Sequence, residues 1–234
     1  MKICESAVRI MNAAGIVPVV SNGEKCCGHD LIWTGDEASF EKLMDYNLEL
    51  IKKSGAKKVV FTRPECYRTF KTDYQDLAGD QPFEMVRFSD YMKELIHEGR
   101  LKLDTAKSEK VTFSYHDSCR MGRHSGIYDS PRELAKAFSG AKFVEMENSR
   151  DKAICCGVCA WSNCNANAKR IQIDRVVEAK KAGADRLLMF CPKCQIHMQC
   201  AIQDKVPVDP STVDVKIEDF TVAMARMLGL VQGK

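Results

Sequence analysis

The chain has no apolar run of about 18 residues, the length a membrane-crossing helix needs, and no charged-then-apolar leader at its start. It is therefore expected neither to span a membrane nor to be exported, which gives a cytoplasmic location, with docking on a membrane partner at the inner face left open. A formal charge of +3 is too small to argue for nucleic acid or a bare membrane surface as partner. No glycine-rich phosphate loop follows a strand-like run, so nothing calls for NAD, FAD or ATP. A C-x2-C-x2-C-x3-C-P run, which ferredoxin-type clusters use, is absent too. Electrons, if the chain handles them, come from elsewhere. With 234 residues, 45% of them hydrophobic, the chain suffices for one large globular domain or two of about a hundred residues each.

What the chain has is cysteine, 12 in all. Disulfide frameworks suit secreted chains below about 100 residues; this one is longer, lacks a leader and is dense in Lys and Glu. Metal or cluster ligation in a reducing compartment explains the count better. Five cysteines in the second half, Cys119, Cys155, Cys156, Cys191 and Cys194, form a C-x35-CC-x34-C-x2-C pattern. They are set in His116-Asp117-Ser118-Cys119, Ile154-Cys155-Cys156-Gly157 and Phe190-Cys191-Pro192-Lys193-Cys194. Thiolates are soft ligands that select zinc, copper(I) or iron–sulfur clusters, and the x2 pair has metal-knuckle spacing. Consecutive cysteines rarely aim both sulfurs at one tetrahedral ion but can reach two irons of a larger cluster. Five sulfurs also exceed the four that zinc or an ordinary cubane takes. An iron–sulfur site of unusual geometry is expected, with a zinc-stabilised scaffold as the competing reading.

Shifted by 129 residues, the sequence resembles itself. Cys26-Cys27-Gly28 falls on Cys155-Cys156-Gly157, and the stretch 52–60 falls on 180–188 with one residue of slippage. A period this long points to a duplicated domain rather than a solenoid. Each copy shows a charged amphipathic helix (42–54 and 169–182), then Gly55 or Gly183 as helix stop, a short apolar strand (58–62 and 186–190) and Pro64 or Pro192. Residues 111–115 read as a further strand, ending at His116. Strand–helix alternation implies parallel sheets, and open α/β sheets place ligands at strand C-terminal ends. The expected fold is α/β: two duplicated Rossmann-like half-domains, 1–103 and 111–234, with the cysteine site near their junction and an exposed link from Leu103 to Lys110. The first copy is degenerate. It keeps Cys26, Cys27 and Cys66, has Arg63 where the second has Cys191, and its counterpart of Cys119 would fall before Met1. The first strand of that copy is thus expected upstream or on a partner. Cys4, in a helix-like stretch, is a poor substitute.

The five-cysteine pattern with its Cys-Cys-Gly core resembles the CCG cysteine-rich domain of heterodisulfide reductase catalytic subunits, of the B and D types. Related domains occur in sulfite-reduction-associated membrane complexes and in iron–sulfur subunits of lactate, glycolate and anaerobic glycerol-3-phosphate oxidation. The resemblance implies a [4Fe-4S] cluster, non-cubane in the best-known members, held by Cys119, Cys155, Cys156, Cys191 and Cys194. It further implies an oxidoreductase subunit for disulfide reduction or electron transfer, active within a redox complex. The partners would be a ferredoxin-type or flavin electron donor and a disulfide or thiol substrate. The alternative is an electron-relay subunit of a flavin-dependent hydroxy-acid or glycerol-3-phosphate dehydrogenase.

Beside the first ligand, His116 is the candidate catalytic residue, either a proton donor to a leaving thiolate or a hydrogen-bond partner of the site; with Asp117 it can also serve as an anchor. Arg120, Arg123 and His124 flank an expected helix start after Cys119 and would either bind an anionic substrate or form a solvated basic loop. Cys159, in Cys155-Cys156-Gly157-Val158-Cys159, departs from the glycine-rich stretch usual in the family and reads as a small buried residue. Cys164 is also extra to the pattern, Cys200 reads as core, and His197 as a helix histidine.

Overall fold

The structure is a computed structural model that describes residues 2–103, 110–157, 164–204 and 209–231. It is an α/β protein with parallel sheets. In the second half a four-stranded sheet has the order β4-β3-β5-β6. It is built from β3 (Val111–Tyr115), β4 (Ala141–Phe143), β5 (Arg186–Met189) and β6 (Lys216–Asp219). All three pairings are parallel, so each strand is joined to the next by a helix or long loop: α7 (Asp129–Ala137), α8 (Ala166–Lys181) and α9 (Pro192–Gln203), with α10 (Phe220–Met227) closing the chain. The central strands β3 and β5 are almost wholly buried, as their apolar runs require when helices cover both faces.

The first half carries a two-stranded parallel sheet, β1 (Lys58–Phe61) and β2 (Glu84–Arg87). Its helices are α1 (Lys2–Ala13), α2 (His29–Thr34), α3 (Glu37–Ser54), α4 (Pro64–Arg68), α5 (Gln75–Ala78) and α6 (Phe88–His97). Between α4 and α5 the helix widens into a π-turn, Thr69–Tyr74. The order helix, glycine, strand, proline, helix recurs in α3-Gly55-β1-Pro64-α4 and α8-Gly183-β5-Pro192-α9. Local chemistry sets both: Asp36 and Asn165 cap their helices by accepting from Ser39 N–H and Ala168 N–H, at 3.2 and 3.0 Å. Gly55 and Gly183 end them at φ 69° and 81°. Among the described residues the first sheet has no counterpart of β3. The segment 16–20 has no regular structure, and Val17 and Val19 are exposed by 89% and 76%.

The core does not divide at residue 103. One cluster joins Ile10, Met11, Phe88, Met92 and Leu95 of the first half to Phe113, Leu134, Phe220 and Met224 of the second, with α1 laid along α10. Two smaller clusters belong to one half each, Phe40, Met44, Leu48, Phe70 and Tyr74 with Cys27, and Ile173, Val176, Leu187 and Met198 with Cys156, Cys191 and Cys194. Burying a side chain of this size contributes about 1.5–3 kcal/mol, so α1 alone ties the halves together by several kcal/mol. The helix expected after Cys119 does not form. Residues 119–125 are successive turns, broken by Gly122 and by Gly126 at φ 68°, and α7 starts only at Asp129. Of the expected exposed link, 104–109 lies outside the described residues, as does Cys159.

Candidate functional site

The strand order creates the site. From β3 the chain moves outward to β4, then returns to the other side of β3 for β5 and continues outward to β6. Between β3 and β5 the direction of winding reverses, and loops leaving the C-terminal ends of two such strands diverge and leave a crevice. Those loops are His116–Cys119 after β3 and Phe190–Cys191 after β5. The ladder runs one step past β3, with His116 N–H donating to Leu188 C=O at 2.8 Å. Cys191 then caps α9, with Pro192 in its first turn and Cys194 one turn along. Into the same crevice runs the Cys155-Cys156-Gly157 loop. Gly157 has φ 76°, and a Cβ there would meet the Ala168 carbonyl oxygen at 2.6 Å, so only glycine lets the loop pack on α8.

The thiols converge. Cys156 shares hydrogen bonds with Cys155 and with Cys194, and Cys194 with Cys191; Cys119 lies within electrostatic reach of Cys156 and Cys191. Cys156, Cys191 and Cys194 are buried, Cys119 and Cys155 half-buried. Hydrogen bonding to Cys156, then burial, pushes Cys155 far above the ordinary thiol range. Bonds to Cys156 and Cys191, then burial, do the same to Cys194. Cys119 is raised by burial, with Arg120 opposing. Five acidic groups packed this closely repel as thiolates, so they ionise together only when a positive body sits among them. Among the described residues no three His, Cys, Asp or Glu side chains close around a single metal ion.

His116 is wholly buried, and its pKa is lowered to about 4 by burial and by Arg175. Arg175 Nε–H donates to His116 Nδ1 at 3.2 Å. Because a guanidinium only donates, the ring proton of the neutral imidazole belongs on Nε2. That buried Nε2–H has no acceptor among the described residues, and neither does the nearby Ser118 hydroxyl. Unsatisfied buried donors beside sulfurs fit a site completed by a sulfur-rich group. Arg175 itself is fully buried and also donates to Asn148 C=O at 2.7 Å and to Glu178. Asp117 is not a site acid but an anchor. Its carboxylate takes two hydrogen bonds from Arg132, at 2.7 and 2.8 Å, and one from Arg150 N–H at 2.8 Å. Arg123 Nη1–H donates to Ala153 C=O at 2.9 Å, pinning the cysteine-pair loop to the turn that carries Cys119.

The first half closes over this site. Lys193, between Cys191 and Cys194, reaches Asp30 and Glu65, the latter at 3.2 Å. Arg120 lies over the Trp33 ring at 3.8 Å and donates from Nε to His29 Nε2 at 3.2 Å. His29 is drawn down to about 3 by burial and then by Arg120 and Lys193. It is neutral, so its 3.8 Å approach to Glu65 is not a charge pair. A small cleft lies nearby, lined by Phe61, Arg63, Tyr67, Arg87, Arg120 and Phe190.

Cys119, Cys155, Cys156, Cys191 and Cys194 are thus linked neighbour to neighbour, and His116 lies within electrostatic reach of Cys156. Arg120 is half-buried against Trp33 and lines the cleft, while Arg123 and His124 are exposed, as a basic loop would have them, although Arg123 also donates to Ala153 C=O. Cys4 and Cys164 are exposed, and Cys200 is half-buried beside Lys169 rather than core. His197 is buried on α9. Lys193, Glu65, Trp33 and Arg175 escaped sequence reasoning. The signal for one pair was present: Glu65 and Lys193 hold equivalent places in Pro64-Glu65-Cys66 and Pro192-Lys193-Cys194, with opposite charge.

Comparison with known proteins bears on this geometry. A family model described as a cysteine-rich domain, CCG, matches residues 2–71 and 113–199. The chain is 34% identical over 235 residues to the D subunit of the dihydromethanophenazine:CoB–CoM heterodisulfide reductase of Methanosarcina mazei, covering 96% of this chain and 55% of that protein. It is 30% identical to the EtfAB:quinone oxidoreductase of Syntrophomonas wolfei (82% of this chain, 28% of that protein). To an uncharacterized iron-sulfur protein of Methanococcus maripaludis it is 28% identical (85% and 38%). The chain spans about half the length of the heterodisulfide reductase relative, and less of the other two.

Proposed function

We propose, from the premise that the chain belongs to the CCG cysteine-rich domain family, that it is an iron–sulfur redox subunit of the heterodisulfide-reductase type. Cys119, Cys155, Cys156, Cys191 and Cys194 would together hold a [4Fe-4S] cluster of the non-cubane kind. The observation that supports this most is the meeting of five thiols, from three separate stretches, in the switch-point crevice between β3 and β5. When bound, such a cluster supplies one-electron transfer and iron sites able to hold the sulfur of a disulfide or thiol. The protein's own residues do the rest. Adjacent Cys155 and Cys156 offer two sulfurs at one edge, and the Pro192 turn fixes Cys191 against Cys194. His116, neutral well below pH 7, contributes a fixed N–H rather than a proton to give away, and Arg175 keeps that N–H turned from the guanidinium. Buried Arg175 offsets negative charge on the sulfurs. In this reading residues 1–103 and 111–234 are two copies of one unit, the first having lost ligands.

Work within a complex, with a ferredoxin-type or flavin electron donor and a disulfide or thiol substrate, is part of the same proposal; the relatives' names support the subunit role and the disulfide. Among the described residues no helix is long and apolar enough to cross a membrane. A cytoplasmic place, at the inner face through a partner, belongs to the same proposal. Similarity to the EtfAB:quinone oxidoreductase favours a second reading, a pure electron relay. Anaerobic purification followed by iron and sulfide counts is the first test, with about four of each expected per chain. One zinc and no iron would overturn the proposal. Reoxidation of the reduced protein by a disulfide separates the reductase from the relay.

A further inference from the structure

The first half keeps three motif cysteines, Cys26, Cys27 and Cys66, that the proposed cluster does not use. Cys27 sits in the apolar cluster of Phe40, Phe70 and Tyr74, and Cys66, at the start of α4, packs against it. The Cys27 backbone is fixed from both sides: its carbonyl accepts from the Tyr74 hydroxyl at 3.0 Å, and Gly28 turns at φ 76° with Phe40 where a Cβ would go. The thiols of Cys27 and Cys66 meet in this cluster and lie within electrostatic reach of each other. Where the second motif places a further thiol, this one has Arg63, whose guanidinium lies within electrostatic reach of Cys66, Cys27 and, across the junction, Cys191. A cation within reach of three thiols disfavours a metal ion there, and no set of three or more ligands sized for an ion occurs among the described residues.

We propose that Cys27 and Cys66 are a redox-active dithiol, a metal-free sulfur site beside the first, which exchanges with small organic disulfides. Cys66 is the attacking sulfur. The Cys27 thiol beside it, and after that Arg63, lower its pKa against the opposing effect of burial. Cys27 is the resolving thiol. Cys26 beside it pulls it down, but Cys66 and burial prevail and push it up to about 12. Cys66 thiolate attacks the disulfide RSSR′, forming a Cys66–SR bond and expelling R′S⁻. Cys27 then gives up its proton and attacks the Cys66 sulfur, forming the Cys27–Cys66 bond and expelling RS⁻. Two electrons pass from the pair to the disulfide; the two product thiols take one proton from Cys27 and one from water. A dithiol reductant reverses the exchange. The exposed Cys26 is a poor partner because consecutive Cα atoms lie about 3.8 Å apart, below the roughly 4.4–6.8 Å a disulfide prefers. This inference goes beyond the cluster proposal and does not depend on it.

The test is to equilibrate the anaerobically purified protein in glutathione/glutathione disulfide buffers, trap free thiols with N-ethylmaleimide, and map the peptides by mass. Oxidation should remove about two alkylation sites per chain and yield one linked peptide pair, Cys27 with Cys66. Cys27→Ser and Cys66→Ser should each abolish that pair and leave the iron content unchanged, whereas Cys26→Ser should retain it. The proposal is overturned if both thiols of the unsubstituted protein stay alkylatable in oxidising buffer, if Cys26→Ser removes the link, or if Cys27→Ser or Cys66→Ser loses iron. Wild-type trapping needs no variant to fold. Absence of iron altogether would count against the cluster alone and leave the linked peptide as the readout here.

Discussion

Replacing Asp117 by alanine probes whether the turn that carries Cys119 is held by its own ion pair. The Asp117 and Arg132 side chains are 1% and 3% exposed, and three hydrogen bonds end on the carboxylate. Removing one partner of a buried pair costs about 3–5 kcal/mol, because the other charge is stranded. Here Arg132 keeps Glu145, at 2.6 and 2.9 Å, which is 41% exposed. That residual partner places the loss at the lower end, about 3 kcal/mol. Asp117→Asn keeps acceptors for Arg132 and Arg150 but loses the charge, and should cost about half as much. Pairing Asp117→Ala with Arg132→Met removes the stranded cation, so the double variant should be more stable than Asp117→Ala alone. Urea unfolding followed by circular dichroism, with matched slopes, reads these differences. Iron bound per chain should fall in Asp117→Ala as the Cys119 turn loosens. Stability of Asp117→Ala within about 1 kcal/mol of wild type, or a double variant weaker than the single, would refute the reasoning.

Asp219 caps α10, and burial raises its pKa to about 7. Its unfolded value is about 3.9, so the stabilising effect of the neutral carboxyl is complete below that pH and is lost as pH rises toward 7. Asparagine caps equally well and stays neutral; Asp219→Asn should therefore gain about 3 kcal/mol on wild type between pH 5 and pH 8, and an equal gap at both pH values in urea melts would contradict this. Gly157→Ala, with its Cβ against the Ala168 carbonyl, should lose about 2 kcal/mol or more and shed iron, checked by melting temperature and iron assay. Cys155→Ser or Cys156→Ser should abolish the electron paramagnetic resonance signal of the holoprotein, while Cys200→Ser keeps most of it; the reverse pattern would reassign the ligands.

Regular elements were legible where local chemistry decides them. Residues 111–115 form a strand, as a short apolar run of that length predicts, and Gly55 and Gly183 end helices. Residues 119–125 read as a helix start, yet Gly122 within them, Gly126 after them, and the hold of Arg123 on Ala153 and of Arg120 on Trp33 keep them in turns. Of the site, the cysteines were readable because ligand spacing is written along the chain. Arg175 was not. It lies in a charged helix where an arginine normally faces water, and only the packing of α8 against the β3 turn shows that its guanidinium orients His116. The shared core is equally silent in sequence: Ile10 and Met11 signal an amphipathic helix, without saying that its apolar side lies on α10.

Lys193 turns the thiol loop into a pinned joint. Its ammonium lies between two sulfur-bearing positions and is fastened at Asp30 and Glu65 on the opposite half. A displacement of the first half by the length of a hydrogen bond must then either break both fastenings or drag the Cys191–Cys194 turn along with it. Load applied to residues 30–65 arrives at the sulfurs as a change in their spacing. By thermodynamic reciprocity, whatever fixes that spacing also steadies the hold of Lys193 on Asp30 and Glu65.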